Sequence, residues 1–157
     1  MRPVFCPLAA ALFLAVLSAC ASDDMQIYSG RFDNGWGDNW SWMPRYATNS
    51  PVYTNNPVFV SSNSMALVPS GNYQAWWLKA GTSIDTRIYS SLSFWVYSGA
   101  ARNISVSGEL NGSGLSGVSV SAVANTWQQV TISLASLGIN NKTDLTGLQI
   151  GNGTSTQ

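Results

Sequence analysis

Beyond residue 21 the chain carries short stretches in which apolar and polar residues alternate at every second position. No stretch of useful length has apolar residues at helical spacing. The alternation predicts strands at Met25–Ser29, Val58–Val60, Ser64–Val68, Gln74–Lys79, Leu92–Ser98, Asn103–Leu110, Gly117–Val123, Gln128–Ser133 and Leu145–Ile150. These runs are rich in β-branched and aromatic residues. Turn formers separate them, among them Asn34-Gly35, Ser70-Gly71-Asn72, Ser98-Gly99 and Asn111-Gly112. Leu134–Leu137 before Gly138 reads as one short helical turn. Short strands following one another without helices predict an all-β, antiparallel, jelly-roll-like β-sandwich.

Alternation also assigns sides. Leu92, Phe94 and Val96 point one way, into the core, and Trp95 and Tyr97 the other. Trp76 and Leu78 share a side, which leaves Trp77 opposite. Ile104 and Val106 alternate with Ser105 and Ser107, and Val118 and Val120 with Ser119 and Ser121. The expected core is Phe94, Val96, Trp76, Leu78, Ile104, Val106, Val130 and Ile132, with Trp127 also following the core pattern. The outward side is then serine-rich with large aromatics set among the hydroxyls.

The N-terminus departs from this pattern. Arg2 precedes an apolar run, Leu8 to Leu17, about half the length needed to span a bilayer, so residues 1–21 read as an export signal. Two processing readings stay open. Ala19-Cys20-Ala21 fits an ordinary signal-peptidase site, which gives a free secreted protein starting at Ser22. Leu17-Ser18-Ala19-Cys20 equally fits a lipobox, which makes Cys20 a lipidated first residue and the only tie to a membrane. Either way the expected location is extracellular, secreted or at the cell surface. Cys6 and Cys20 both lie in or at the end of this leader, so a domain of residues 22–157 has no internal disulfide and relies on its core.

Composition narrows the chemistry. Charged residues are 9 % of the chain, seven basic against seven acidic, so no electrostatic footprint for nucleic acid is expected. With no histidine, His-based triads and His-ligated zinc sites are excluded. A glycosidase needs two carboxylates at a set separation. The candidates are Asp33, Asp38, Asp85, Glu109 and Asp144; Asp85 and Asp144 sit in turns, where they would bond backbone amides, and Glu109 has no acid beside it. The expectation is a non-enzyme. Seven Trp among Ser, Thr and Asn suit a neutral, hydroxyl-rich ligand instead.

Several segments in order resemble a family of carbohydrate-binding-like β-sandwich modules found with secreted polysaccharide-degrading enzymes. They are Ile27-Tyr28, Asn34-Gly35-Trp36, Asn39-Trp40-Ser41-Trp42, Asn49-Ser50-Pro51-Val52, Ser64-Met65-Ala66, Ala75-Trp76-Trp77-Leu78, Ile84-Asp85-Thr86, Leu92-Ser93-Phe94-Trp95-Val96 and Thr126-Trp127-Gln128-Gln129-Val130-Thr131-Ile132. The resemblance covers nearly all of residues 22–157 and implies non-catalytic binding of a neutral cell-wall polysaccharide. Combined with alternation, it puts the ligand on Trp77, Tyr97, Trp95, Trp42 and Gln74, with Asn72, Arg45 and Asp38 as further polar partners. A structural or adhesive surface protein, or the accessory fragment of a glycoside hydrolase, stays open beside it.

Two departures matter. Such modules often hold a structural calcium, but here Tyr28 is followed by Ser29-Gly30 rather than an acidic pair, so no cofactor is expected. The family's closing acidic strand is also missing, which implies a truncated C-terminus and an exposed sheet edge near Leu145–Ile150.

Overall fold

The computed structural model describes residues 15–19, 24–38, 52–54, 64–66 and 75–152. They form β1 (Ala15–Ala19), β2 (Met25–Tyr28), β3 (Trp36–Asp38), β4 (Val52–Thr54), β5 (Ser64–Ala66) and β6 (Ala75–Ile84). The chain continues through β7 (Tyr89–Tyr97), β8 (Arg102–Leu110), β9 (Ser113–Gly114), β10 (Val118–Ala122), β11 (Trp127–Ser133) and β12 (Leu145–Gly151). Among the described residues there is no helix, and the strands within each sheet pair antiparallel.

The first sheet runs β11-β7-β1-β2 and the second β10-β8-β12-β6-β3, with β9 paired to β8 and a separate β4–β5 pair. One apolar cluster joins the two. It takes Ile27, Leu92, Phe94, Val130 and Ile132 from the first sheet, and Trp36, Leu78, Ile104, Val106, Leu145, Leu148 and Ile150 from the second. The fold is therefore all-β and β-sandwich-like, and the alternation explains it: the strands that supply this cluster bury one side against the other sheet. Six of the eight expected core residues are buried, while Trp76 and Val96 pack against the cluster partly exposed.

Turn chemistry positions the strands. Asn34 and Gly35 both have positive φ (50° and 76°), as do Asn111 and Gly112 (47° and 79°), the backbone of a type I′ turn. Asn111-Gly112 thus joins β8 to β9 as a two-residue hairpin. The expected helical turn is present: Ser133 O accepts from Leu137 N (3.3 Å) and Leu134 O from Ile139 N (2.9 Å), with Gly138 at φ 70°. It delivers Leu137 and Ile139, both fully buried, to the core. Gly108 leaves the space beside the Ile139 side chain that a Cβ would fill.

Some boundaries differ from expectation. β6 runs on to Ile84, because β3 pairs with Lys79 and Ala80 on one side and Gly81 N donates to Gly35 O (2.9 Å). Trp36–Asp38 is too short and glycine-containing to show an alternation of its own. β1 falls within the stretch read as a leader and pairs with β2 and β7. The expected strand Val58–Val60 lies outside the described residues.

The edge expected near Leu145–Ile150 is not an edge. β12 lies inside the second sheet, paired along Gly147–Gly151 to β6 on one side and to β8 on the other. Its neighbours come from far back in the chain, so order along the sequence was no guide to position in the sheet.

Leu148 is fully buried between Leu78 and Gly108 in that central strand. Leu148→Ala is expected to lose about 2–5 kcal/mol of stability, because it empties a fully buried place in the shared apolar cluster. A denaturant titration should show the lower midpoint with an unchanged m-value.

Candidate functional site

The outward side of the first sheet is set by the pairing of β7 with β11. Val96, Phe94 and Leu92 stand opposite Gln128, Val130 and Ile132, and these positions face the core. The intervening pairs are Tyr97 with Trp127, Trp95 with Gln129, Ser93 with Thr131, and Ser91 with Ser133, and they face away from it. Tyr97 and Trp127 meet at 5.6 Å between ring centres, tilted by 53°. The Tyr97 hydroxyl donates to Asn125 Oδ1 (3.4 Å), and Asn125, at φ 54°, is anchored by its N–H on Ser98 O (2.7 Å). The Ser93 and Thr131 hydroxyls are 3.0 Å apart. The result is a strip with three half-buried aromatic rings at one end and hydroxyls at the other. None of the residues in these pairs is charged.

Trp127 is a correction to the sequence reading. Its ring is as apolar as any core residue, but it shares parity with Gln129 and Thr131, not with Val130 and Ile132, and so lies on the outer side.

Trp77 belongs elsewhere. It lies on β6 in the second sheet, away from the core-facing Leu78, so it and the Trp95–Tyr97 pair occupy opposite outer sides of the molecule. Around it is a polar arrangement that sequence reasoning missed. Lys79 and Glu109 stand on β6 and β8, each paired in register with Gly147 on β12 between them. Lys79 Nζ donates to Glu109 Oε1 across that glycine. A Cβ at residue 147 would lie 2.8 Å from Leu78 O, 3.3 Å from Trp77 Nε1 and 3.5 Å from Glu109 Cδ. The glycine is what lets the pair close.

A register irregularity between Leu145 and Gly147 brings Thr146 into the same cluster. Its hydroxyl donates to Glu109 Oε1 (2.7 Å) and accepts from Gly112 N (3.0 Å), tying the ion pair to the β8–β9 turn. The Trp77 ring lies over Lys79, 5.2 Å from Nζ to ring centre. Glu109 has no exposed side-chain surface, whereas Lys79 keeps 32 % of its own. Burial pushes the Glu109 carboxyl pKa up. The hydrogen bonds from Lys79 and Thr146, the Lys79 charge and the Trp77 indole N–H outweigh it, so the net shift is downward. The signal available in the sequence was one Lys and the only Glu on strands with apolar faces, plus a glycine in a third strand.

Three further acids have side-chain partners of their own. Asp33 takes bonds from Ser29 Oγ (2.5 Å) and Arg31. Asp85 accepts from Arg87 N (3.0 Å), as its turn position suggested, and the Arg87 side chain holds its carboxyl down at about 2. Asp144 accepts from the Asn111 side-chain amide (2.8 Å) rather than from a backbone amide. Among the described residues no three acidic or thiol groups gather into a set that would hold a metal ion.

Of the sequence-predicted site residues, Trp95 and Tyr97 come together and gain Trp127. Trp77 does not join them. Trp42, Gln74, Asn72, Arg45 and Cys20 lie outside the described residues, and Asp38, on β3, is paired in register with the core-facing Leu78. No protein-family model matches the chain, and a search among curated proteins finds no match.

Lys79→Met leaves a fully buried carboxylate with no counter-charge and is expected to cost about 3–5 kcal/mol near neutral pH. The pH dependence should invert. In the wild type, the depressed Glu109 pKa contributes stability that is present above the ordinary value of about 4.3 and lost as pH falls through the folded value. In the variant, burial raises the folded pKa, so the penalty is absent in acid and grows as pH rises through that value. Denaturation midpoints of both proteins between about pH 3 and 8 measure the narrowing gap in acid.

Proposed function

We propose that this domain binds a neutral cell-wall polysaccharide, without catalysis, on the outward strip of the first sheet. The observation that carries this reading is the run of Trp127, Tyr97 and Trp95 on one side of β7 and β11, continued by Gln129, Ser93 and Thr131. A pyranose ring offers an apolar C–H face and a rim of hydroxyls. Flat aromatic rings suit the first, and amide and hydroxyl groups at strand spacing suit the second. The rings sit on paired strands rather than loops, so little ordering is needed when a chain settles on them. The resemblance of the sequence to carbohydrate-binding-like modules points the same way. Export completes the reading: the polymer lies outside the cell, and the protein would reach it free from Ser22 or tethered at Cys20.

Retention on insoluble cellulose, xylan, chitin, mannan and β-1,3-glucan tests it. At least one polymer should hold the wild type with little effect of added salt, because none of the residues paired along the strip is charged. By the scale of aromatic stacking on flat rings, about 1–3 kcal/mol each, Trp95→Ala and Trp127→Ala should each weaken retention by roughly five- to 150-fold. Trp77→Ala, on the opposite side, should leave it unchanged. A folded protein that no polymer retains, or one that releases reducing sugar, would contradict the proposal.

A further inference from the structure

The strip on β7 and β11 is not level, and its relief decides which form of a polysaccharide it fits. The Tyr97 and Trp127 rings, 5.6 Å apart between centres, are inclined by 53° to each other, so they share no plane. The far end of the Tyr97 ring is held by its hydroxyl on Asn125 Oδ1 (3.4 Å), and Asn125 is itself anchored on Ser98 O (2.7 Å). Trp95 follows two residues before Tyr97 on the same strand. Adjacent strands are rotated by about 20–25° relative to each other, so the surface that carries the rings is itself twisted.

Beyond the rings the strip steps down. Ser93 and Thr131 stand opposite each other, with hydroxyls 3.0 Å apart that are borne on Cβ and lie close to the backbone. Gln129 and Thr131 are exposed, and the three rings are half-buried. From Tyr97–Trp127 to Ser91–Ser133 the pairs span about 20 Å along the strands and about 10 Å across them, long and narrow enough for one polymer chain.

A crystalline polymer face is planar and rigid. Lying flat on one of the inclined rings, it would meet the other at an edge. It would also bridge over the Ser93 and Thr131 hydroxyls, which would lose water without gaining a partner. A single chain turns about the bonds between successive sugars. Each sugar plane can then settle on its own ring, and the chain can descend to the hydroxyls, which keep donor and acceptor capacity beyond their mutual bond.

We propose, resting on the polysaccharide reading, that the ligand is one hydrated chain lying along β7 and β11 with its successive sugar planes turned relative to one another, and not the face of a crystalline polymer. Chains that twist in solution, such as xylan and β-1,3-glucan, meet this requirement. The flat ribbons packed in crystalline cellulose and chitin do not.

The test titrates the full chain with soluble hexasaccharides and disaccharides of xylan, β-1,3-glucan, mannan and cellulose, and measures retention on microcrystalline cellulose and chitin. At least one hexasaccharide should bind, roughly fivefold or more tightly than its disaccharide, the lower end of one added stacking contact. Neither crystalline polymer should hold the protein. Thr131→Val and Gln129→Ala, both at exposed positions, should each weaken that hexasaccharide roughly two- to tenfold by removing one hydrogen-bonding group. Retention on a crystalline polymer, a disaccharide bound as tightly as the hexasaccharide, or a hexasaccharide indifferent to both substitutions would each overturn the single-chain proposal and leave the polysaccharide reading standing. A folded protein that binds no oligosaccharide and no polymer overturns both.

Discussion

The second sheet is organised around a carboxylate that water does not reach. Glu109 can stay ionised there only because Lys79 arrives from two strands away, and the two meet only because the strand between them has no side chain at Gly147. Three strands are thereby fixed by one interaction. A slip of one residue in β6, β8 or β12 would put a side chain between the charges, or turn one charge into the apolar core. Apolar burial supplies most of the stability, but it would tolerate several registers of Val, Ile and Leu. The ion pair tolerates one.

That arrangement also bears on the aromatic residues. Trp77 covers the pair, and its indole N–H and π-face are turned to Glu109 and Lys79. A ring engaged in this way is part of the sheet's electrostatics. On the other sheet the Tyr97 and Trp127 rings meet each other, and Trp95 stands beside them on the same side of β7. The two outer sides thus differ in kind among the described residues: one holds buried charge, and the β7–β11 strip on the other is aromatic with no charged residue in its pairs.

Much of the fold was legible in the sequence. Period-two alternation in Leu92–Tyr97 and Asn103–Leu110 gave both the strands and their core sides, and Asn-Gly pairs marked turns whose positive φ values call for them. Alternation is a property of one strand, however, and says nothing of which strand lies beside it. It placed Trp77 and Trp95 correctly as outward, but could not show that they point outward from different sheets. It also hid the central position of β12 and the Lys79–Glu109 contact, which join residues 30 apart through a third strand. Trp127 was misread for a different reason: it was assigned to the core pattern although it is one residue out of step with Val130 and Ile132. Trp36–Asp38 was invisible because three residues around a glycine carry no period.

The position of β12 has a consequence in time. β6 and β8 are complete dozens of residues before β12 exists, yet they do not pair with each other: each pairs with β12. During synthesis the two earlier strands must wait, each bearing a charge and an apolar side, until the strand that joins them emerges. The second sheet therefore closes late and through contacts distant in sequence, a slow kind of assembly.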